Sequence, residues 1–112
     1  MTLSVNHELS NGISKIALDG RLDASTASLF KTEVEKAAAQ KVKSIVLMLS
    51  GLEYMASAGL RVLVFAKQKM GSGSKVFIVG AQEMVKQTIE LSGFHQAVTL
   101  LNSYDAAVIE KS

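Results

Sequence analysis

Leu3, Val5, His7 and Leu9 alternate with polar residues, the two-residue period of a strand with one buried face. Ser10-Asn11-Gly12 follows, and Asn-Gly is a strong hairpin signal because both residues accept a positive φ. Residues 13–19 then read as the second strand of an antiparallel hairpin with one wet face. From Ser25 the period lengthens. Phe30, Val34, Ala37 and Ala38 fall at i, i+4, i+7 and i+8, a helical stripe that Ser25 or Thr26 can cap. Residues 44–49 hold an unbroken apolar run, Ile-Val-Leu-Met-Leu, which predicts a short strand buried on both faces. Residues 51–55 read as a connector, and Ser57 begins a second helix running to about Met70 with Leu60, Leu63, Val64 and Phe65. Gly71-Ser72-Gly73-Ser74 stops that helix, 75–79 is another short apolar strand, and Gly80 turns out of it. Residues 82–92 predict a third helix with Met84, Val85, Thr88 and Leu91 on one side and Gly93 just past its end. Residues 97–101 form a last strand, and Tyr104, Ala107 and Val108 give a short C-terminal helix its apolar face.

The element order is ββαβαβαβα, an α/β arrangement in which strands alternating with helices make a mostly parallel sheet. The leading hairpin makes that sheet mixed, flanked by about four helices. A chain of 112 residues suits one domain, residues 1–112, with no internal repeat, linker or low-complexity tract.

Composition narrows the chemistry. Hydrophobic residues make up 48% of the chain, enough for a real core. The absence of Cys excludes disulfides, thiolate catalysis and thiolate metal sites, and it fits a reducing cytoplasm, the expected location. The N-terminal residues lack the charged-then-apolar pattern of a signal peptide. The longest strongly apolar run, 45–49, is far below a membrane span, so no membrane insertion is expected. A net charge of +2 is too balanced to announce a nucleic-acid binder. Its distribution says more. No acid occurs between Glu53 and Glu83, while Arg61, Lys67, Lys69 and Lys75 fall in that window. Lysines on a solvated helix face account for such a run, and so does steering toward an acidic partner surface.

Catalytic readings fare badly. His7 lies on a predicted strand and His95 just past a helix, neither beside an obvious carboxylate pair or nucleophile motif. Two His and no Cys leave too few ligands for a typical zinc site unless carboxylates make up the number; no metal site and no cofactor are expected. Gly71-Ser72-Gly73-Ser74 follows a helix and precedes a strand, whereas a phosphate-binding loop needs the reverse order and a terminal Gly-Lys-Ser/Thr. Ser57 is different. It heads a helix, where a Ser is commonly a plain N-cap. Its small neighbours Ala56, Ala58 and Gly59 leave the hydroxyl unshielded, and a helix N-terminus tolerates a phosphate.

Residues 49–61, Leu-Ser-Gly-Leu-Glu-Tyr-Met-Ala-Ser-Ala-Gly-Leu-Arg, resemble the signature of the STAS domain family of anti-sigma factor antagonists. Residues 20–27, Gly-Arg-Leu-Asp-Ala-Ser-Thr-Ala, resemble the family's second block, before its first helix. The resemblance implies a partner switch. The Ser matching Ser57 is phosphorylated by a cognate serine kinase that is often the anti-sigma factor itself. The unphosphorylated form binds that kinase, phosphorylation breaks the complex, and a metal-dependent serine phosphatase restores it. Asp23 matches the family's acidic residue near the switch, and the implied docking surface takes in Asp23, Ser57, Ala58, Gly59 and Arg61. Many members carry Asp where this chain has Ala56 and Met48, positions expected to lie near the switch. The alternative is therefore a STAS adaptor subunit of a transporter or scaffold complex that is never phosphorylated. A small hydrolase using Ser57 lacks a His or Lys placed by sequence to activate it.

Overall fold

The computed structural model describes residues 3–70 and 75–110. The hairpin forms as its turn chemistry requires. Strand β1 (Leu3–Ser10) and strand β2 (Ile13–Leu22) run antiparallel, with Ser10 opposite Ile13 across a two-residue turn. Asn11 and Gly12 in that turn have φ of 53° and 77°, both left-handed, which matches the twist of the flanking strands. Leu3 is buried and Leu9 is half exposed at 50%, so the apolar alternation of β1 fades toward the turn.

Helix α1 (Ala27–Ala39) comes next, then strand β3 (Ser44–Met55), helix α2 (Ser57–Met70), strand β4 (Lys75–Val79), helix α3 (Glu83–Leu91), a 3-10 turn at Phe94–Gln96, strand β5 (Thr99–Leu101) and helix α4 (Ala106–Ile109). The five strands lie in chain order, β1-β2-β3-β4-β5, with only the β1–β2 pair antiparallel. The sheet is thus mixed, as the pattern predicts. The expected stop at residues 71–74 lies outside the described residues.

Several boundaries move, each for a local reason. β2 continues past residue 19 to Leu22, and β3 past residue 49 to Met55, absorbing the expected connector. Two register shifts in the β2–β3 ladder, between Ala17 and Asp19 and between Gly20 and Arg21, let the strands stay paired despite extra residues in β3. The freed Ser50 carbonyl accepts from Gln82 Nε2 at 2.8 Å, tying the start of α3 to this irregularity. α1 begins at Ala27, because residues 23–26 form a turn of their own. α3 turns Val85 and Ile89 inward and leaves Met84 60% and Leu91 90% exposed, the reverse of the expected face for those two. α4 buries Ile109 rather than Ala107 and Val108.

The core lies mainly on one face of the sheet. Ile16, Leu18, Leu22, Ile45, Leu47, Leu49 and Leu52 meet Phe30, Val34 and Ala37 of α1, Val62, Leu63 and Ala66 of α2, and Val85 and Ile89 of α3. The other face holds a smaller cluster, Ile13, Val46, Phe77 and Val79, covered by Ile109. β3 is thus buried on both faces along its first half, as its unbroken apolar run requires. Burying such clusters is the main favourable term in folding, about 25 cal/mol per Å² of apolar surface.

Candidate functional site

The parallel strands β2 and β3 finish side by side, Leu22 opposite Met55, and both chains leave the sheet at the same end. Ala56 N–H donates to Leu22 O at 2.8 Å, and Ala56 O accepts from Gly59 N at 3.0 Å and Leu60 N at 3.1 Å. Ala56 therefore occupies the N-cap position and Ser57 is the first helical residue of α2. The expectation that Ser57 caps the helix is corrected: it lies one residue past the cap position, with its side chain exposed. Ala58 is half-buried and Arg61, one turn on, is exposed without an ion-pair partner among the described residues.

Gly59 is fixed by close approach. A Cβ there would come within 2.6 Å of Leu22 Cγ and Cδ2, so the first turn of α2 lies directly on the end of β2. This contact sets the distance between Ser57 and the segment after β2. In that segment the Asp23 carboxylate accepts from Ser25 N at 2.9 Å and Ser25 Oγ at 2.6 Å. Thr26 Oγ1 accepts from Asp23 N–H and donates to Arg21 O, both at 2.9 Å. The hydrogen bond from the Ser25 hydroxyl, first among several, holds the Asp23 carboxyl below its usual range. Asp23 thus organises its own turn, and Thr26 braces it instead of capping α1 through its side chain. Beside the turn, the Arg21 guanidinium lies 4.3 Å from the centre of the Tyr54 ring, across the last rungs of the β2–β3 ladder.

The two positions that depart from the family pattern separate here. Ala56 adjoins Ser57, but Met48 packs with the cluster on the sheet face opposite α1 and α2. Met48 lies seven steps before Met55 along β3, roughly 20 Å at the rise of a strand. Met48 therefore does not border Ser57 in the way the sequence suggests.

A second polar cluster escaped sequence reasoning. His7 Nδ1 lies 2.9 Å from Glu33 Oε1, and His7 Nε2 hydrogen-bonds with Ser14 Oγ. The order Ser, His, carboxylate is that of an activated nucleophile. Yet Ser14 is wholly buried. The cluster bridges β1, β2 and α1 and leaves no room for a substrate. The only available signal was the half-polar position of His7 within an otherwise apolar alternation. Among the described residues no group of three or more His, Asp or Glu could hold a metal ion, and no helix is long and apolar enough to cross a membrane.

A model of the STAS domain matches residues 4–107. The chain is 24% identical over 98 residues to the anti-sigma-F factor antagonist RsfB of Mycobacterium tuberculosis, covering 88% of this chain and 80% of that protein. Among solved structures, an anti-sigma factor antagonist from Mycobacterium paratuberculosis superposes with a TM-score of 0.87 at 23% identity, over 96% of this chain and 92% of that one. The unphosphorylated form of the anti-sigma factor antagonist SpoIIAA gives 0.81 at 17% identity, over 96% and 95%. A phosphorylated form of SpoIIAA from Bacillus gives 0.74 at 14% identity, over 96% and 98%.

Proposed function

The chain belongs to the STAS domain family, whose anti-sigma factor antagonists are regulatory rather than catalytic, and from that premise we propose that it is a partner-switching regulator controlled by phosphorylation of Ser57. The observation that carries the reading is the exposed Ser57 hydroxyl at the first position of α2, beside the braced Asp23 turn. The partner is an anti-sigma factor that is also the serine kinase, and a metal-dependent serine phosphatase reverses the mark. Binding centres on Ser57 and includes Asp23, Ala58, Gly59 and Arg61. A phosphate brings a charge of about −1.5 to −2 to that surface. The free N–H groups and dipole of the helix end accept such a charge without unfolding. The partner then reads the change, and the fold does not.

Incubation with the kinase partner and ATP tests this. One phosphate is expected, mapped to Ser57 by phosphopeptide mass spectrometry. Modification at Ser50 instead, or none by a kinase that demonstrably binds, would sink the reading. The adaptor alternative, a subunit of a transporter or scaffold complex, rests on Ala56 standing where the family resemblance implies Asp. It predicts binding that is indifferent to the state of Ser57.

A further inference from the structure

α2 carries more than Ser57 on its outer side. Helical spacing puts Ser57, Leu60, Arg61 and Val64 along one face. Leu60 and Val64 are only half-buried, and they form one wall of a groove of about 410 Å³. The opposite wall is the 3-10 turn after α3, with Phe94, Gln96 and Ala97. That wall is built to stay put. Gly93 takes a left-handed φ of 79°, Ser92 Oγ donates to Ile89 O at 2.7 Å, and the same oxygen accepts from Phe94 N at 3.1 Å. The groove is therefore an apolar trough, one helical turn from Ser57, with a volume suited to one or two side chains.

Its charge surroundings are one-sided. Helical spacing sets Arg61 and Lys67 beside Leu60 and Val64, and residues 57–70 and 92–97 contain no Asp or Glu. An apolar trough rimmed by such bases favours an apolar anchor flanked by carboxylates and disfavours a basic segment. The more exposed Met84 and Leu91 on α3 make a poorer seat for that chemistry, because that helix sets Glu83 and Glu90 against a single base, Lys86.

We propose that the groove between α2 and residues 92–97 seats an apolar side chain from an acidic, amphipathic segment of the protein partner. The proposal rests on the partner-binding reading above and adds what the partner must present. It also gives phosphorylation a direct means of control: a phosphate on Ser57 sets negative charge at the mouth of a groove that selects negative segments.

Two helical peptides of identical leucine spacing, one with glutamates between the leucines and one with lysines, are the probes. They are titrated into isotope-labelled protein while amide shifts are followed by NMR. The glutamate peptide is expected to perturb residues 60–64 and 92–97 and to bind about tenfold more tightly than the lysine peptide. Ala97→Trp, which plugs the trough from an exposed rim position, is expected to abolish this binding. Val64→Ser provides a milder second variant should the first fail to fold. Shifts centred on residues 84–91, equal binding of the lysine peptide, or undiminished binding to a folded Ala97→Trp protein would overturn the groove. Undiminished binding to Ser57→Glu, with shifts still mapping to the groove, would uphold the groove and overturn control by phosphorylation.

Discussion

Ser57 and Gly59 sit two residues apart and answer to different physics. The Ser57 hydroxyl is exposed and Ala56 supplies the cap position, so Ser57→Ala is expected to change stability by no more than about 0.5 kcal/mol. Gly59→Ala forces a methyl against buried Leu22, an overpacking cost of about 1–3 kcal/mol, against roughly 1 kcal/mol returned by helix propensity. A net loss is expected, and urea denaturation of both variants separates the two roles. A large loss in Ser57→Ala would make that residue structural. The His7 cluster answers to pH. The hydrogen bond with His7, and after it Lys36, hold the Glu33 carboxyl below its usual value, so the folded state favours the charged form. That stabilisation is present above the unfolded value near 4.5 and is lost as pH falls through the lower folded value. Wild type should therefore be more stable than Glu33→Gln at neutral pH, and the gap should shrink on acidification below that window. A gap that stays constant in a pH series of denaturation midpoints would contradict the assignment. Ser57 was legible because a small-residue helix start stands out in a sequence. The His7–Ser14–Glu33 cluster was not, because its members come from three elements and meet only once the sheet and α1 have packed.

The elements show where a hydrophobic pattern decides and where it does not. In α1 the spacing of Phe30, Val34 and Ala37 admits one buried face, and that face is the one observed. α3 has nine residues with two apolar sets, Met84 with Thr88 and Leu91, and Val85 with Ile89. Over so short a helix the period fits both sets, and packing against the sheet chooses the second. Ile89→Ala should accordingly cost about 2–5 kcal/mol, while Met84→Lys and Leu91→Lys should stay within about 0.5 kcal/mol. Comparable losses for Leu91→Lys and Ile89→Ala in chemical denaturation would reverse the face. The second half of β3 eluded the pattern for another reason. Its apolar positions, Leu52 and Met55, are three apart, because the register shifts break strict alternation. A strand that carries irregularities reads as a loop when only its sequence is in view.

At the scale of the molecule, the order of elements and the mixed sheet followed from alternating periods and one Asn-Gly turn. The groove beside α2 did not, since its walls come from segments about thirty residues apart whose meeting depends on packing against the sheet. If Ser57 controls partner binding, Ser57→Asp should weaken the kinase complex by about tenfold or more while leaving the melting temperature nearly unchanged. Arg61→Ala should weaken it mainly through slower association, with an effect that fades at high salt. Titration of the labelled kinase against the three folded proteins decides the matter, and equal affinity for wild type and Ser57→Asp would favour the adaptor. The strand order β1-β2-β3-β4-β5 has a consequence of another kind. Each strand pairs with the one made just before it, so no ladder must wait for a distant stretch of chain, and no connection to be closed holds more than one helix and its flanking turns. During synthesis the sheet can grow rung by rung from its first hairpin as the polypeptide emerges. Two edges are then open at any moment to pairing with a neighbouring nascent chain, the first strand and the latest one.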